Sequence, residues 1–167
     1  MQIDKTMSLN APIQDVWNTI MDVEAMAQCF PGLECIEKVD ENTYRSTVKV
    51  TIARISAKFD LVTKIAEMAA PIHLATVTEG KAQTLGATVT QKQTLELKKL
   101  DEEETQVLYR GDVVVTGRLA MLGQRAIRAK AEQMADALAV SFVNLLQSRV
   151  AENGQVPPQS IELGEQA

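Results

Sequence analysis

Apolar residues recur along this chain with two different spacings, and each change of spacing marks a predicted element. Apolar and long side chains alternate with polar ones over residues 2–9, which predicts a first strand. The spacing becomes helical over residues 12–21, and a second short helix is predicted over residues 23–29. Phe30-Pro31-Gly32 ends that helix, because proline and glycine both break helices.

A spacing of two then returns and lasts for most of the chain. It predicts six further strands, and the short turns between them favour antiparallel hairpins. The predicted strands cover residues 33–39, 44–52, 55–68, 72–79, 84–100 and 106–116. Gly80-Lys81 is predicted to belong to the turn between the fourth and fifth of these six.

The last predicted element is a long helix over residues 117–150, in which Gly123 is expected to cause a kink or close packing. At 1.5 Å per residue its length is about 50 Å, enough to cross a whole sheet. The polar residues 151–167 that follow are predicted to form a disordered tail behind one domain, residues 1–150. The helix carries one continuous apolar stripe, formed by Ala120, Ile127, Ala131, Met134, Leu138, Phe142 and Leu145.

These elements predict an α+β fold with an antiparallel sheet of about seven strands wrapped around the long C-terminal helix. The two short helices after the first strand would plug one end. Aromatic residues make up only 4 % of the chain, so we expect space for an apolar small molecule between helix and sheet. The predicted lining is Val48, Val50, Ile55, Phe59, Leu61, Tyr109, Met121, Met134, Leu138 and Phe142, with Phe30 near one mouth.

Charge and composition exclude several kinds of partner. The net charge is −5 and no basic block occurs along the sequence, which argues against nucleic-acid binding. No apolar run approaches the roughly 18–20 residues of a membrane span. With two cysteines and no signal peptide, the expected compartment is the cytoplasm.

No catalytic or metal-binding constellation is predicted, and no cofactor is expected. His73, the only histidine, is interpreted as a strand residue at or near the surface. Cys29 and Cys35 are six residues apart, which does not match the spacing of a zinc site, and Cys29 is expected to pack as a small apolar group. The acidic residues 101–104 are expected to form a solvated turn.

Two arginines at the start of the long helix are the candidate polar contacts of a ligand. Arg118 and Arg125 are seven residues apart and would share one helix face. They could meet the polar head group of a ligand, or they could pair with Asp112 or Glu132 at the surface.

Three segments carry a resemblance to a known family. They are Ala11-Pro12 with Val16-Trp17, Cys29-Phe30-Pro31-Gly32-Leu33-Glu34, and Gly117-Arg118-Leu119-Ala120-Met121-Leu122-Gly123-Gln124-Arg125. The order of elements resembles the helix-grip fold of the START-like (SRPBCC) superfamily. The segments resemble signatures of the CoxG family, which is named for a subunit of carbon monoxide dehydrogenase.

The resemblance implies a binding protein for a hydrophobic ligand, a quinone or a fatty acyl lipid, and not an enzyme. It also implies association with a molybdenum hydroxylase such as carbon monoxide dehydrogenase, and peripheral membrane contact. Two alternatives stay open. One is a cyclase or aromatase of the same superfamily, for which Tyr44, Tyr109 and Arg118 are the available polar groups. The other is an assembly or docking factor whose cavity is incidental.

Overall fold

The computed structural model describes residues 1–161. A first strand and two short helices precede six consecutive strands and a long helix, as predicted. The elements are β1 (Gln2–Leu9), α1 (Ile13–Met21), α2 (Val23–Cys29), β2 (Leu33–Asp40), β3 (Thr43–Ile52), β4 (Ile55–Ala69), β5 (His73–Ala82), β6 (Thr88–Asp101), β7 (Glu104–Thr116), a 3₁₀ helix (Arg118–Leu122) and α3 (Gln124–Ile161).

All seven strands form one antiparallel sheet in the order β1-β7-β6-β5-β4-β3-β2. Five of the six strand pairs join consecutive strands through short turns, as expected for hairpins. The exception is β1, which pairs with β7 and places Lys5 opposite Tyr109. The predicted helix-grip architecture is therefore confirmed, with β1 and β2 as the two edges of the sheet.

The turn between β5 and β6 differs from the prediction. Gly80 and Lys81 belong to β5, and the turn lies at residues 83–87, where Leu85 and Gly86 have positive φ angles. Gly80 is opposite Leu61 of β4, and a Cβ atom added to it would lie 2.3 Å from the backbone oxygen of Asp60. Glycine is required there by the close approach of β4, not by a turn.

The long helix also differs from the prediction at both ends. Gly117 and Gly123 have φ angles of +87° and +93°, a region that glycine adopts without strain, and they bound the separate 3₁₀ helix. The α-helix therefore begins at Gln124 and not at residue 117. It continues beyond residue 150 to Ile161, and the rest of the predicted tail, residues 162–167, lies outside the described residues.

The buried core consists of two clusters at opposite ends of the space between sheet and α3. The first cluster packs α1 and the middle of α3 against the sheet and comprises Leu9, Ala11, Val16, Trp17, Leu97, Val107, Phe142 and Leu146. The second packs the 3₁₀ helix and the start of α3 against the β3–β4 hairpin and comprises Ile52, Ala57, Phe59, Ala87, Leu119 and Ile127. The region between these clusters is where the candidate site lies.

Candidate functional site

The space between the two core clusters is lined by side chains that are only half-buried. Side chains alternate between the faces of a strand, so the inner face can be followed from the buried Phe59 and Val107. On α3, the positions between the buried Ile127 and Phe142 that lie on the same helix face are also half-buried. These positions are Ala131, Met134, Ala135 and Leu138 on the helix, and Leu61, Thr63, Thr76, Gln91, Gln93 and Tyr109 on the sheet.

The backbone of α3 comes closest to the two strands that flank this region. Cα atoms of α3 come within 8 Å of β1 and β3, but among the described residues none comes within 8 Å of β4, β5, β6 or β7. In the sheet order these four strands lie between β1 and β3. We call the space between residues 131–138 of α3 and the middle of β4–β7 the central cleft.

A group of uncharged polar side chains crosses the floor of the central cleft. The Tyr109 hydroxyl accepts a hydrogen bond from Gln91 Nε2 at 3.1 Å and donates to Gln93 Oε1 at 3.1 Å. Gln93 Nε2 lies 3.5 Å from Thr76 Oγ1, and the Thr63 and Thr78 hydroxyls are 2.8 Å apart. We call this group the polar belt; its members are Thr63, Thr76, Thr78, Gln91, Gln93 and Tyr109.

The ring of Tyr109 lies along its own strand, over Gly111. A Cβ atom added to Gly111 would be 2.5 Å from the Tyr109 hydroxyl oxygen, so glycine leaves the room that the phenol occupies. Burial raises the pKa of Tyr109 above its ordinary value. The phenol therefore stays protonated near neutral pH and acts as a hydrogen-bonding group, not as a base.

One ion pair flanks the belt. Lys5 is opposite Tyr109 in the β1–β7 register, and its Nζ lies 2.8 Å from Asp136 Oδ1 on α3. The Lys5 side chain is 30 % exposed and that of Asp136 is 64 % exposed, so the pair lies at the rim of the cleft. Partly exposed pairs of this kind contribute about 0–1 kcal/mol, so the pair orients α3 more than it stabilises the fold.

A surface hollow lies near the same edge of the sheet, where β1 pairs with β7. A hollow of about 300 Å³ separates β7 from the start of α3 and is lined by Met1, Val113, Val114, Val115, Ala120, Gln124 and Ile127. Val113 is opposite Gln91 in the β6–β7 register, so the hollow adjoins the polar belt. A second hollow of about 270 Å³, near Lys58 and Gln83, has no belt residue in its lining.

The sequence and the fold both have known relatives. Residues 6–146 match the family model that describes CoxG, a subunit of carbon monoxide dehydrogenase, and the match covers well over half of the chain. The chain belongs to the CoxG family. No curated protein matches the sequence of this CoxG-family chain.

Solved structures share the fold at low sequence identity. A conserved protein from Geobacillus kaustophilus is 20 % identical, with a TM-score of 0.82, over 89 % of this chain and 96 % of that one. The ZhuI aromatase/cyclase from Streptomyces sp. R1128 is 19 % identical, with a TM-score of 0.69, over 90 % and 95 %. A START superfamily protein from Mycobacterium smegmatis is 17 % identical, with a TM-score of 0.68, over 88 % and 97 %. The START-like fold of this CoxG-family protein is thereby confirmed.

The structure divides the predicted lining residues into three groups. Val50, Leu61, Tyr109, Met134 and Leu138 are half-buried on the surfaces that face each other across the interior. Val48, Phe59 and Phe142 are buried, the latter two as members of the end clusters.

The third group is exposed. Phe30 and Ile55 are each 38 % exposed, at the end of α2 and at the β3–β4 hairpin. Met121 is 84 % exposed, because the 3₁₀ helix directs Leu119 into the core and leaves Met121 on the outside. Met121 is therefore not part of the inner lining.

The two candidate arginines do not share one helix face. Arg118 lies in the 3₁₀ helix and Arg125 in α3, and the break at Gly123 separates them. Both are exposed, and neither pairs with the expected acids. Within the described residues Asp112 pairs with the N-terminus and Glu132 with Arg128.

Sequence reasoning placed Tyr109 in the lining but missed the rest of the polar belt, although β6 carries a signal for it. Gln91, Gln93, Leu95 and Leu97 occupy alternate positions and therefore share one face of the strand. Leu97 is buried, so glutamine at two positions of the same face departs from the apolar pattern of a core. Such a departure indicates an inner surface that is not fully packed.

Other chemistry-bearing residues lie away from the cleft. Cys29 and Cys35 are free thiols, and burial of Cys29 raises its pKa. The acidic residues 101–104 form the exposed β6–β7 turn, in which Asp101 accepts from the Glu103 amide. Among the described side chains, no group of three His, Cys, Asp or Glu residues is placed to hold a metal ion. None of the described helices combines the length and hydrophobicity that a bilayer crossing requires.

His73 lies on the outer face of the sheet between two carboxylates. Its Nδ1 is hydrogen-bonded to Glu96 and its Nε2 lies 3.1 Å from Glu67 Oε1. The hydrogen bond to Glu96, and after it the one to Glu67, raises the pKa of His73 above its ordinary value.

We expect the H73Q variant to lose a pH-dependent part of the stability. Because the folded-state pKa is raised, the imidazolium stabilises the fold below the unfolded pKa of about 6.5, and this contribution disappears as pH rises through the folded pKa. Urea unfolding from pH 5.5 to 8.5 should show a gap between wild type and H73Q that narrows with rising pH. A constant gap would contradict this assignment.

Proposed function

We propose that this CoxG-family protein binds a hydrophobic small molecule, a quinone or a fatty acyl lipid, in the central cleft. The observation that carries the proposal is the contrast between the buried ends of the interior and its half-buried middle. Protein interiors are normally close-packed, so an incompletely buried middle on both facing surfaces favours an occupant supplied from outside. Met134 and Leu138 on α3, opposite Leu61 on β4, would supply apolar contact.

The proposed partner is a molybdenum hydroxylase of the carbon monoxide dehydrogenase type, met in the cytoplasm. The family description supports this partner, since it names carbon monoxide dehydrogenase. Peripheral contact with a membrane fits the same role, because apolar ligands of this kind reside in bilayers. An assembly factor with an incidental cavity would bind the same enzyme without binding any ligand.

We propose binding without catalysis. The belt consists of hydroxyls and amides that do not change charge near neutral pH, and the pKa of Tyr109 is raised by its burial, which keeps the phenol protonated. His73 is on the opposite face of the sheet from the cleft. Arg118, one of three polar groups considered for a cyclase, is exposed in the 3₁₀ helix and lies outside the belt.

The test is ligand occupancy. Native mass spectrometry of gently purified protein should show an apolar adduct, and titration with decyl-1,4-benzoquinone should show saturable binding with one site per chain. Absence of both an adduct and quinone uptake would contradict the proposal. Co-purification of a molybdenum hydroxylase by a chain that binds no ligand would favour the assembly-factor alternative.

A further inference from the structure

Building on the proposed function, we infer that the polar belt selects ligands that carry an uncharged oxygen group, a carbonyl or a hydroxyl. Such a ligand would bind in preference to a carboxylate and in preference to a bare hydrocarbon of the same size. The inference concerns the class of ligand and depends on the belt, whereas the proposed function depends only on the cleft.

The belt has hydrogen-bonding capacity that its internal contacts do not use. Each glutamine amide carries two N–H donors, and among the described side chains each uses one of them, Gln91 on Tyr109 and Gln93 on Thr76. Among the described side chains, none donates a hydrogen bond to the Gln91 side-chain carbonyl oxygen. A ligand carbonyl could accept from the remaining N–H groups, and a ligand hydroxyl could donate to the free carbonyl.

A hydrocarbon lying on the belt would leave these groups without water and without a partner. An unsatisfied buried donor or acceptor weakens binding by roughly tenfold or more, so an oxygen-bearing ligand has an advantage over its hydrocarbon analogue. The apolar parts of the ligand would extend from the belt toward the two clusters, past Leu61 on one side and Leu95 on the other.

A carboxylate has no comparable partner in the cleft. The inner positions of β4–β7 between the clusters carry no charged side chain among the described residues. A positively charged side chain, that of Lys5, is opposite Tyr109 in the β1–β7 pair. Its ammonium nitrogen lies 2.8 Å from Asp136 Oδ1. An anionic head group would have to compete with Asp136 or lose its hydration without compensation, which is strongly unfavourable.

The experiment compares three probes that each carry a decyl chain on a planar six-membered carbon ring: decyl-1,4-benzoquinone, decylbenzene and 4-decylbenzoate. Affinities are measured for wild type, Y109F and T94V. Thr94 is also half-buried but lies on the outer face of β6, between Gln93 and Leu95, and its hydroxyl makes no hydrogen bond to a described residue, so T94V is the matched control for the loss of one hydroxyl. We expect wild type to bind the quinone about tenfold more tightly than decylbenzene, with the benzoate weakest.

In Y109F the affinity for the quinone should fall about 3- to 10-fold, while the affinity for decylbenzene stays unchanged or rises. T94V should leave both affinities at the wild-type values, because Thr94 is on the other face of the sheet. Equal binding of all three probes, or tightest binding of the benzoate, would overturn this inference and leave the proposed function intact. Failure of every probe to bind wild type would overturn both.

Discussion

Replacing Leu146 by alanine is expected to lower the free energy of unfolding by about 2–5 kcal/mol. Leu146 is a residue of α3 and is 0 % exposed. It packs within the cluster that contains Val16, Trp17 and Val107. Truncation removes buried methyl groups and leaves a cavity that α1 and the sheet cannot close, because both are fixed by other contacts. Urea denaturation with an unchanged slope would measure the loss as a shift of the midpoint.

The control for this variant is L138A, the same change two turns earlier on the same helix. Leu138 is half-buried at the edge of the central cleft, so its truncation removes less packing and is expected to cost less than half as much. Equal losses at the two positions would mean that α3 is packed as tightly at Leu138 as at Leu146. That result would contradict the existence of the cleft.

The order of elements was predictable because each element depends on its own local pattern. The alternation in β3 and β4, and the helical spacing in α1, follow from which side chains must face the core. The prediction that Gly80 belongs to a turn is wrong, because glycine occurs both in turns and where two backbones approach closely. Only the pairing of β5 with β4 distinguishes the two cases. A kink or close packing is predicted at Gly123, but the positive φ angle found there cannot be read from the sequence.

The candidate site was less predictable, because it depends on which apolar residues are left unpacked. Phe59 and Leu61 are consecutive inner positions of β4. Phe59 is buried in a cluster, whereas Leu61 is only half-buried. Both residues are on β4, so the difference is set by what packs over each position; the 3₁₀ helix and the start of α3 cover Phe59, and this is a tertiary property. Met121 shows the same limit, since its exposure follows from the 3₁₀ geometry and not from the apolar stripe.

Ligand binding should be most sensitive to a bulky side chain on the inner stripe of α3, and A131W is the sharpest such change. Ala131 is half-buried between Ile127 and Met134, so the indole would enter the central cleft. If it displaces about 100 Å² of apolar ligand contact, about 2.5 kcal/mol is lost, which corresponds to a roughly 70-fold weaker affinity for decyl-1,4-benzoquinone.

The matched control is A137W, because Ala137 is exposed on a different side of the same helix and leaves the cleft open. Its affinity for the quinone should equal that of wild type. Both variants are expected to unfold within about 1 kcal/mol of wild type, since a side chain placed in open space does not overpack a core. A large destabilisation of A131W alone would show instead that the middle of the interior is filled by the protein's own side chains. In that case the cleft could not accept a ligand, and surface docking to an enzyme would become the better explanation of the fold.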